Sequence, residues 1–321
     1  MDDQPADEVP NVRSTGLAQP ARPKKRDVHG WIILDKPVNE TSTHAVSVVK
    51  RAFHARKAGH AGTLDPLASG ILPIAMGEAT KTVPFVMDGR KAYRFTVTWG
   101  AETATDDAEG AVTQTSGKRP DRAAVEAILP GFTGTVMQVP PKYSAIKIAG
   151  ERAYDLARDG EEVVLQARPV EIDALRLTVH DGETSTFEAE CGKGTYVRAL
   201  ARDFGRLLGC YGHVTALRRT RVGPFTEADA IPLAVFDEAR RDGSDVTALI
   251  TPVDHALGEI PAVMISRNDA GRLQRGQSCL LRGSEAPVAA EAVAVFCQGQ
   301  LVAIGEVIHG ELHPRRVFHL G

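Results

Sequence analysis

Residues 60–70 read HAGTLDPLASG, a glycine-punctuated turn that holds a single carboxylate, Asp65. Between Thr41 and Leu64 the chain has no acidic residue, whereas Lys50, Arg51, Arg56 and Lys57 are cationic and His44, His54 and His60 can become so. Asp65 is therefore the first acid after a cationic field, and opposite charge nearby favours its ionised form. An ionised carboxylate can act as a nucleophile and cannot donate a proton. Gly62 and Gly70 admit backbone geometry or close approach that side chains block, and Pro66 fixes φ directly after the acid. A turn built this way can hold one side chain still. A competing reading is that Asp65 caps a helix opened by Pro66, since Asp and Pro are favoured at those two positions.

The rest of the composition limits what surrounds this turn. A chain of 321 residues, 43% hydrophobic and 25% charged, suits one large domain plus a smaller one. No run of about 18 apolar residues exists, so no membrane span is expected. The first residues are polar and rich in proline, without the apolar core of a signal peptide. Cys191, Cys210, Cys279 and Cys297 are far apart, with no pair at zinc-ligand spacing. They read as buried free thiols in a reducing compartment, and a cytoplasmic location is expected. The formal charge of -3 hides an uneven distribution. Besides the segment before Asp65, Arg198, Arg202 and Arg206 recur every four residues, with Arg218, Arg219 and Arg221 close behind. Acids gather elsewhere, between Glu102 and Glu109 and between Glu151 and Glu162. Clustered cations are what a phosphate backbone responds to.

In chain order, residues 1–28 read as a disordered extension ending in Pro23-Lys24-Lys25-Arg26. Order is expected from Gly30-Trp31-Ile32-Ile33-Leu34, a short apolar strand stopped by Asp35-Lys36-Pro37. Thr41-Ser42-Thr43 offers an N-cap, and Val46, Val49 and Phe53 follow at helical spacing. Residues 66–76 read as a second helix-like or buried segment. From Lys91 the period changes to two, with Tyr93, Phe95, Val97 and Trp99 on one face and Arg94, Thr96 and Thr98 on the other, as in a half-buried strand. An acidic loop follows over residues 100–110. Further helices are expected over 121–129 and 152–158, and strands over 134–138, 170–179, 186–191 and 217–222. Val197, Leu200, Phe204 and Leu208 make the apolar stripe of another helix, on which Arg198, Arg202 and Arg206 share a neighbouring face open to a partner. Domain limits are set at 29–258 for the main domain and 259–321 for a small β-rich one.

Six blocks, in order, carry a resemblance: GWIILDKP (residues 30–37), KAGHAGTLDPLASGILPIAMGEATK (57–81), KAYR (91–94), PKYSA (141–145), CGKGTYVR (191–198) and HVTALRR (213–219). Together they resemble the TruB-type tRNA pseudouridine synthases over residues 29–225. The final 60 or so residues are similar, more weakly, to the PUA or PUA-like RNA-binding appendage of bacterial members. The resemblance implies an α+β fold: a mixed, mostly antiparallel central sheet flanked by helices, with the active site in a cleft across it. It also implies isomerisation of uridine 55, in the TΨC arm of tRNA, to pseudouridine, a redox-neutral reaction for which no cofactor and no metal are expected.

Carried over by position, Asp65 is the catalytic aspartate, Arg198 the arginine that pairs with it by gripping both carboxylate oxygens, and Tyr93 the tyrosine that stacks on the target base. His60 matches a histidine that fills the space left by an everted uridine, since a stacked base must be flipped out to be reached. Tyr196 and Leu217 match residues lining the uracil pocket, and Lys36 a basic residue acting by structural support or phosphate contact. The partner is tRNA, with no membrane and no sign of a guide RNA, and a monomer is the default. Asp203-Phe204-Gly205 and Gly192-Lys193-Gly194-Thr195 lack the companion motifs of a kinase or a phosphate-binding loop. A non-catalytic tRNA-binding or folding module is the alternative, which the combination of Asp65, Arg198 and Tyr93 disfavours.

Overall fold

Strand β4 (Lys91–Trp99) obeys the alternation expected of it: Phe95, Val97 and Trp99 are buried, while Arg94 is exposed and Thr96 and Thr98 only partly covered. The computed structural model describes residues 24–143, 147–148, 151–152, 165–283 and 286–320. Around β4 runs a large sheet built from β1 (Gly30–Lys36), β2 (Ala58–His60), β3 (Ser69–Met76), β5 (Gly134–Gln138), β6 (Arg168–His180), β7 (Thr184–Cys191), β8 (Gly212–Val222) and β9 (Ile231–Pro232). The order across it is β9-β1-β3-β8-β4-β7-β6-β5, with β2 added beside β3. Only β1 with β9 and β3 with β8 run parallel in these pairings. The mixed, largely antiparallel α+β sheet is therefore as expected.

Helix α1 (Ser42–Ala52) starts where the capping signal places it, the Thr41 side chain accepting from the His44 N–H. Helices α2 (Val83–Asp88), α3 (Arg122–Ile128), α4 (Val197–Leu207) and α5 (Leu233–Asp242) follow along the chain, and α1 packs against α5. One apolar cluster joins Ile32, Leu34, Val48, Leu72, Phe95, Phe187 and Phe204. A second sheet, from β10 (Ala262–Met264) onward, packs with α6 (Arg267–Gln274) and comprises β11 (Cys279–Leu280), β12 (Ala290–Cys297), β13 (Gln300–Ile308) and β14 (Glu311–Val317). Another apolar cluster runs from Trp31, Ile33 and Ile71 of the large sheet to Leu301, Ile304 and Phe318 of the small one. No helix among the described residues is long and apolar enough to cross a membrane.

One expectation is half met and two fail. Residues 66–76 are the buried segment and not a helix: after a turn closed by the Ala68 N–H to Asp65 carbonyl bond, the chain enters β3. A continuous apolar run does not separate buried strand from buried helix by period, and here pairing on both edges decides it. Pro73 survives inside β3 because its carbonyl faces Ala61, in the gap between the β8 pairing at Ser69 and Gly70 and the β2 pairing from Ile74, so no ladder donor is lost toward β1. Second, β1 continues through Asp35 and Lys36, paired with Ile71 and Gly70. Third, residues 24–28 are not loose: Arg26 bridges Ala55 and Val28 is buried. Of the helix expected over 152–158, residues 153–158 fall outside the described residues.

Candidate active site

The Asp65 turn is pinned from four sides. The hydroxyl of Ser42, in the first turn of α1, accepts from the Leu64 N–H and donates to the Leu64 carbonyl, both at 2.9 Å. Lys36 is fully buried, and its Nζ donates to the carbonyls of Pro37 and Glu40 at 2.8 Å and of Pro66 at 3.4 Å. These bonds grip the turn. Arg219 donates through Nη2 to Gly62 O, through Nη1 to Thr63 O and through Nε to Ile71 O. Finally, Gly70 sits at φ +99°, where an added Cβ would lie 2.2 Å from the Arg219 carbonyl oxygen.

Two predictions follow from these grips. Gly70→Ala is expected to destabilise the protein by about 3 kcal/mol or more, because left-handed strain adds to a backbone clash that separates β3 from β8. Chemical denaturation measures it, and a loss under about 1 kcal/mol contradicts the close approach. For Lys36, burial draws the ammonium down to about 8 from 10.5, against the opposing pull of Glu40 and Asp65. Between those values the unfolded chain keeps a proton that the native protein has lost, so this group makes stability rise with pH. The stability advantage of wild type over Lys36→Met should thus widen from pH 8 to 10.5; a constant gap refutes it.

Asp65, Tyr93, Tyr196, Arg198, Leu217 and Arg219 line one cavity of about 330 Å³, floored by β4 and β8 and closed by the Gly192–Arg198 turn. Arg198, in the first turn of α4, has a side chain 7% exposed, and its Nε lies 2.9 Å from Asp65 Oδ2. The expected two-oxygen grip is not made. The contact runs through Nε alone, off the line of a hydrogen bond, while Nη1 donates to Thr105 O and Nη2 to Tyr143 O, both at 2.9 Å. Nη1 also lies 3.3 Å from Oδ2 of Asp107, whose side chain is 3% exposed. The guanidinium is thus held by buried groups and offers one edge to Asp65, which is 37% exposed and open to the cavity.

Tyr93 stands opposite Arg219 across the β4–β8 pairing. Burial pushes its phenol up, partly offset by the charge and hydrogen bond of Arg219, so it is a neutral phenol at pH 7. Tyr196, at the N-cap of α4, is fixed through its backbone by Gln138, which accepts from its N–H at 2.8 Å and donates to its carbonyl at 3.1 Å. Its ring lies under Arg168, 5.6 Å from the ring centre. Leu217 contributes an apolar wall. Lys36 does not line the cavity, and neither does His60. It lies on β2, and burial, reinforced by the charge of Arg219, lowers its pKa and keeps it neutral at pH 7.

The cations of α4 are matched by acids, contrary to expectation, although Arg206 keeps 55% of its side chain exposed. Arg202 pairs with Asp106 at 2.9 Å and with Asp203 at 2.8 Å, and Arg206 makes two 2.7 Å bonds to Glu102. The acidic loop and the arginine stripe, apart in sequence, neutralise each other. Burial nonetheless raises Asp106 to about 6 despite Arg202 and Arg198. Sequence reasoning missed Asp107, Gln138, Ser42 and the inward role of Arg219. The signal for Arg219 is the Arg218-Arg219 pair on a strand, of which one must face inward: Arg218 bonds Asp35 and Glu227, and Arg219 enters the core.

The site thus sets a buried guanidinium beside a carboxylate and an aromatic ring, on a mixed, largely antiparallel sheet. The TruB family pseudouridylate synthase N-terminal domain matches residues 50–197, and the tRNA pseudouridylate synthase B C-terminal domain matches residues 198–258. The chain is 62% identical over 313 residues to tRNA pseudouridine synthase B of Rhodopseudomonas palustris, covering 96% of this chain and 85% of the relative. It is 56% identical over 311 residues to tRNA pseudouridine synthase B of Rhizobium johnstonii, covering 94% and 100%. The chain belongs to the TruB family. Its fold is also that of a solved Cbf5-Nop10-Gar1 complex, with TM-score 0.70 at 24% identity over 95% of this chain and 92% of that one. An H/ACA RNP bound to a substrate RNA containing 2'-deoxyuridine gives 0.69 at 22% identity, over 91% and 85%.

Proposed function

We propose that this enzyme isomerises uridine 55 in the TΨC arm of tRNA to pseudouridine, with Asp65 as its catalytic carboxylate. The observation that carries the reading is the single edge of Arg198 offered to Asp65, within one cavity that Tyr93 also lines. In the reaction the N1–C1′ bond breaks, the uracil turns, and C5 joins C1′; C5 gives up its proton and N1 gains one. No electrons leave or enter the substrate as a whole. Asp65 acts as an anion on the everted nucleotide, Arg198 fixes its orientation, and the neutral ring of Tyr93 stacks on the base. Leu217 and Tyr196 bound the base, and a neutral His60 takes the place it leaves in the arm. Lys36 holds the turn. Eversion costs a few kcal/mol, which contacts in the cavity must offset.

The same reading has the protein act as a monomer in the cytoplasm, without a guide RNA. The relatives from Rhodopseudomonas palustris and Rhizobium johnstonii carry the name of a tRNA enzyme, which supports tRNA as the substrate. The test is to incubate the purified chain alone with unmodified tRNA, map pseudouridine, and measure the mass of the active species by light scattering. Product at one uridine of the TΨC arm from a monomer is expected. Product only after another RNA is added refutes the guide-free reading, and product at other positions refutes the assignment to uridine 55.

A further inference from the structure

The three arginines of α4 are each paired with acids, Arg206 while still exposed, so the exposed cations without an acid partner lie elsewhere. Lys24, Lys25, Arg26, Arg51, Arg56 and Lys57 are all exposed. They are brought together by backbone pairing: the Arg26 N–H donates to His54 O at 2.8 Å and the Arg56 N–H to Arg26 O at 3.1 Å. His54, at φ +50°, turns the chain out of α1 into this pairing. Among the described residues only Arg56 of the six makes an ion pair, with Asp27 at 3.1 Å and both side chains more than half exposed. Asp245 is the further acid close to Arg26. Among the described residues the patch therefore carries an excess of unpaired positive charge.

Its position is as informative as its charge. Lys57 leads directly into β2, which ends at His60, and its carbonyl accepts from the Gly77 N–H. The next residue, Glu78, bonds the His319 N–H at 2.8 Å, and Lys81 donates to Val317 O at 2.7 Å, both in the segment that ends the small sheet. Lys57, at one edge of the patch, thus lies next to the β2 strand that carries His60 and to the residues that bond the end of the small C-terminal sheet.

We propose that the N-terminal segment, docked beside the end of α1, completes a cationic track that binds the phosphate backbone of the tRNA stem beyond the modified arm. The proposal rests on tRNA being the substrate. Exposed, unpaired cations exchange condensed counterions for phosphates, whereas cations already matched by buried acids cannot. Because Arg26 docks through its backbone, its side chain is free for this contact and is dispensable for the docking.

The test compares wild type with the triple variant Lys24→Ala, Lys25→Ala, Arg26→Ala, on full-length tRNA and on an isolated TΨC-arm hairpin, across a salt series. For full-length tRNA the variant should bind about tenfold more weakly near 0.1 M salt, with the slope of log affinity against log salt smaller by about 2 to 3. Hairpin affinity should change less than about twofold, and turnover at saturating tRNA and the thermal midpoint should be unchanged. An unaltered salt slope on full-length tRNA overturns the proposal, as does an equal loss on the hairpin. Failure of the wild type to form pseudouridine would instead strike at the assigned reaction, leaving the binding series to judge the track.

Discussion

Asp65→Asn is expected to bind tRNA within about threefold of wild type and to lose turnover by about 10⁴-fold or more. The substitution keeps size and turn geometry, since Leu64 stays bonded to Ser42 and Pro66 to Lys36 through their backbones. What it removes is the negative charge, and a neutral amide has no comparable nucleophilicity. Single-turnover conversion with enzyme in excess measures the chemical step apart from binding. Conversion at a rate within tenfold of wild type removes Asp65 from the mechanism.

Arg198→Met should damage both stability and chemistry. The side chain that remains fills similar space but leaves Asp107 buried without its cation, and leaves the Thr105 and Tyr143 carbonyls without their donors. Breaking a buried pair from one side costs about 3 to 5 kcal/mol. Turnover is expected to fall by about 10²-fold or more beyond any loss of folded protein, because Asp65 loses its orienting contact. Arg198→Lys separates the two effects: it restores charge beside Asp107, and so part of the stability, but a single ammonium cannot serve four acceptors in a fixed plane. A lysine variant with wild-type turnover shows that charge alone suffices and refutes an orienting role. Denaturant titration and single-turnover rates, measured on the same preparations, decide between them.

Much of this site was legible in the chain because its parts are local. The glycines, the lone acid and the following proline of residues 60–70 specify a rigid turn, and the period-two pattern from Lys91 specifies the strand that carries Tyr93. What was not legible depends on pairing between distant segments. Residues 66–76 carry an apolar run consistent with either helix or strand, and the choice is made by β1, β2 and β8 alongside them. The arginine stripe of α4 looked like a surface for phosphate because the acids that neutralise it lie about 95 residues earlier, in a loop whose place against α4 no local pattern records. The same exchange explains the N-terminal segment: residues 24–28, mostly charged, gain order by pairing with the end of α1. Charge clustering in sequence therefore located cations correctly but not their accessibility, which burial and acid partners decide.

The account stands on Asp65 meeting an everted uridine in the cavity it shares with Arg198 and Tyr93. A crystal structure of the Asp65→Asn variant bound to the TΨC arm tests this directly. The account predicts the target uridine unstacked from the arm, its C1′ within van der Waals contact of residue 65 and its ring against Tyr93. A target base still stacked in the arm, or seated away from residue 65, would contradict it.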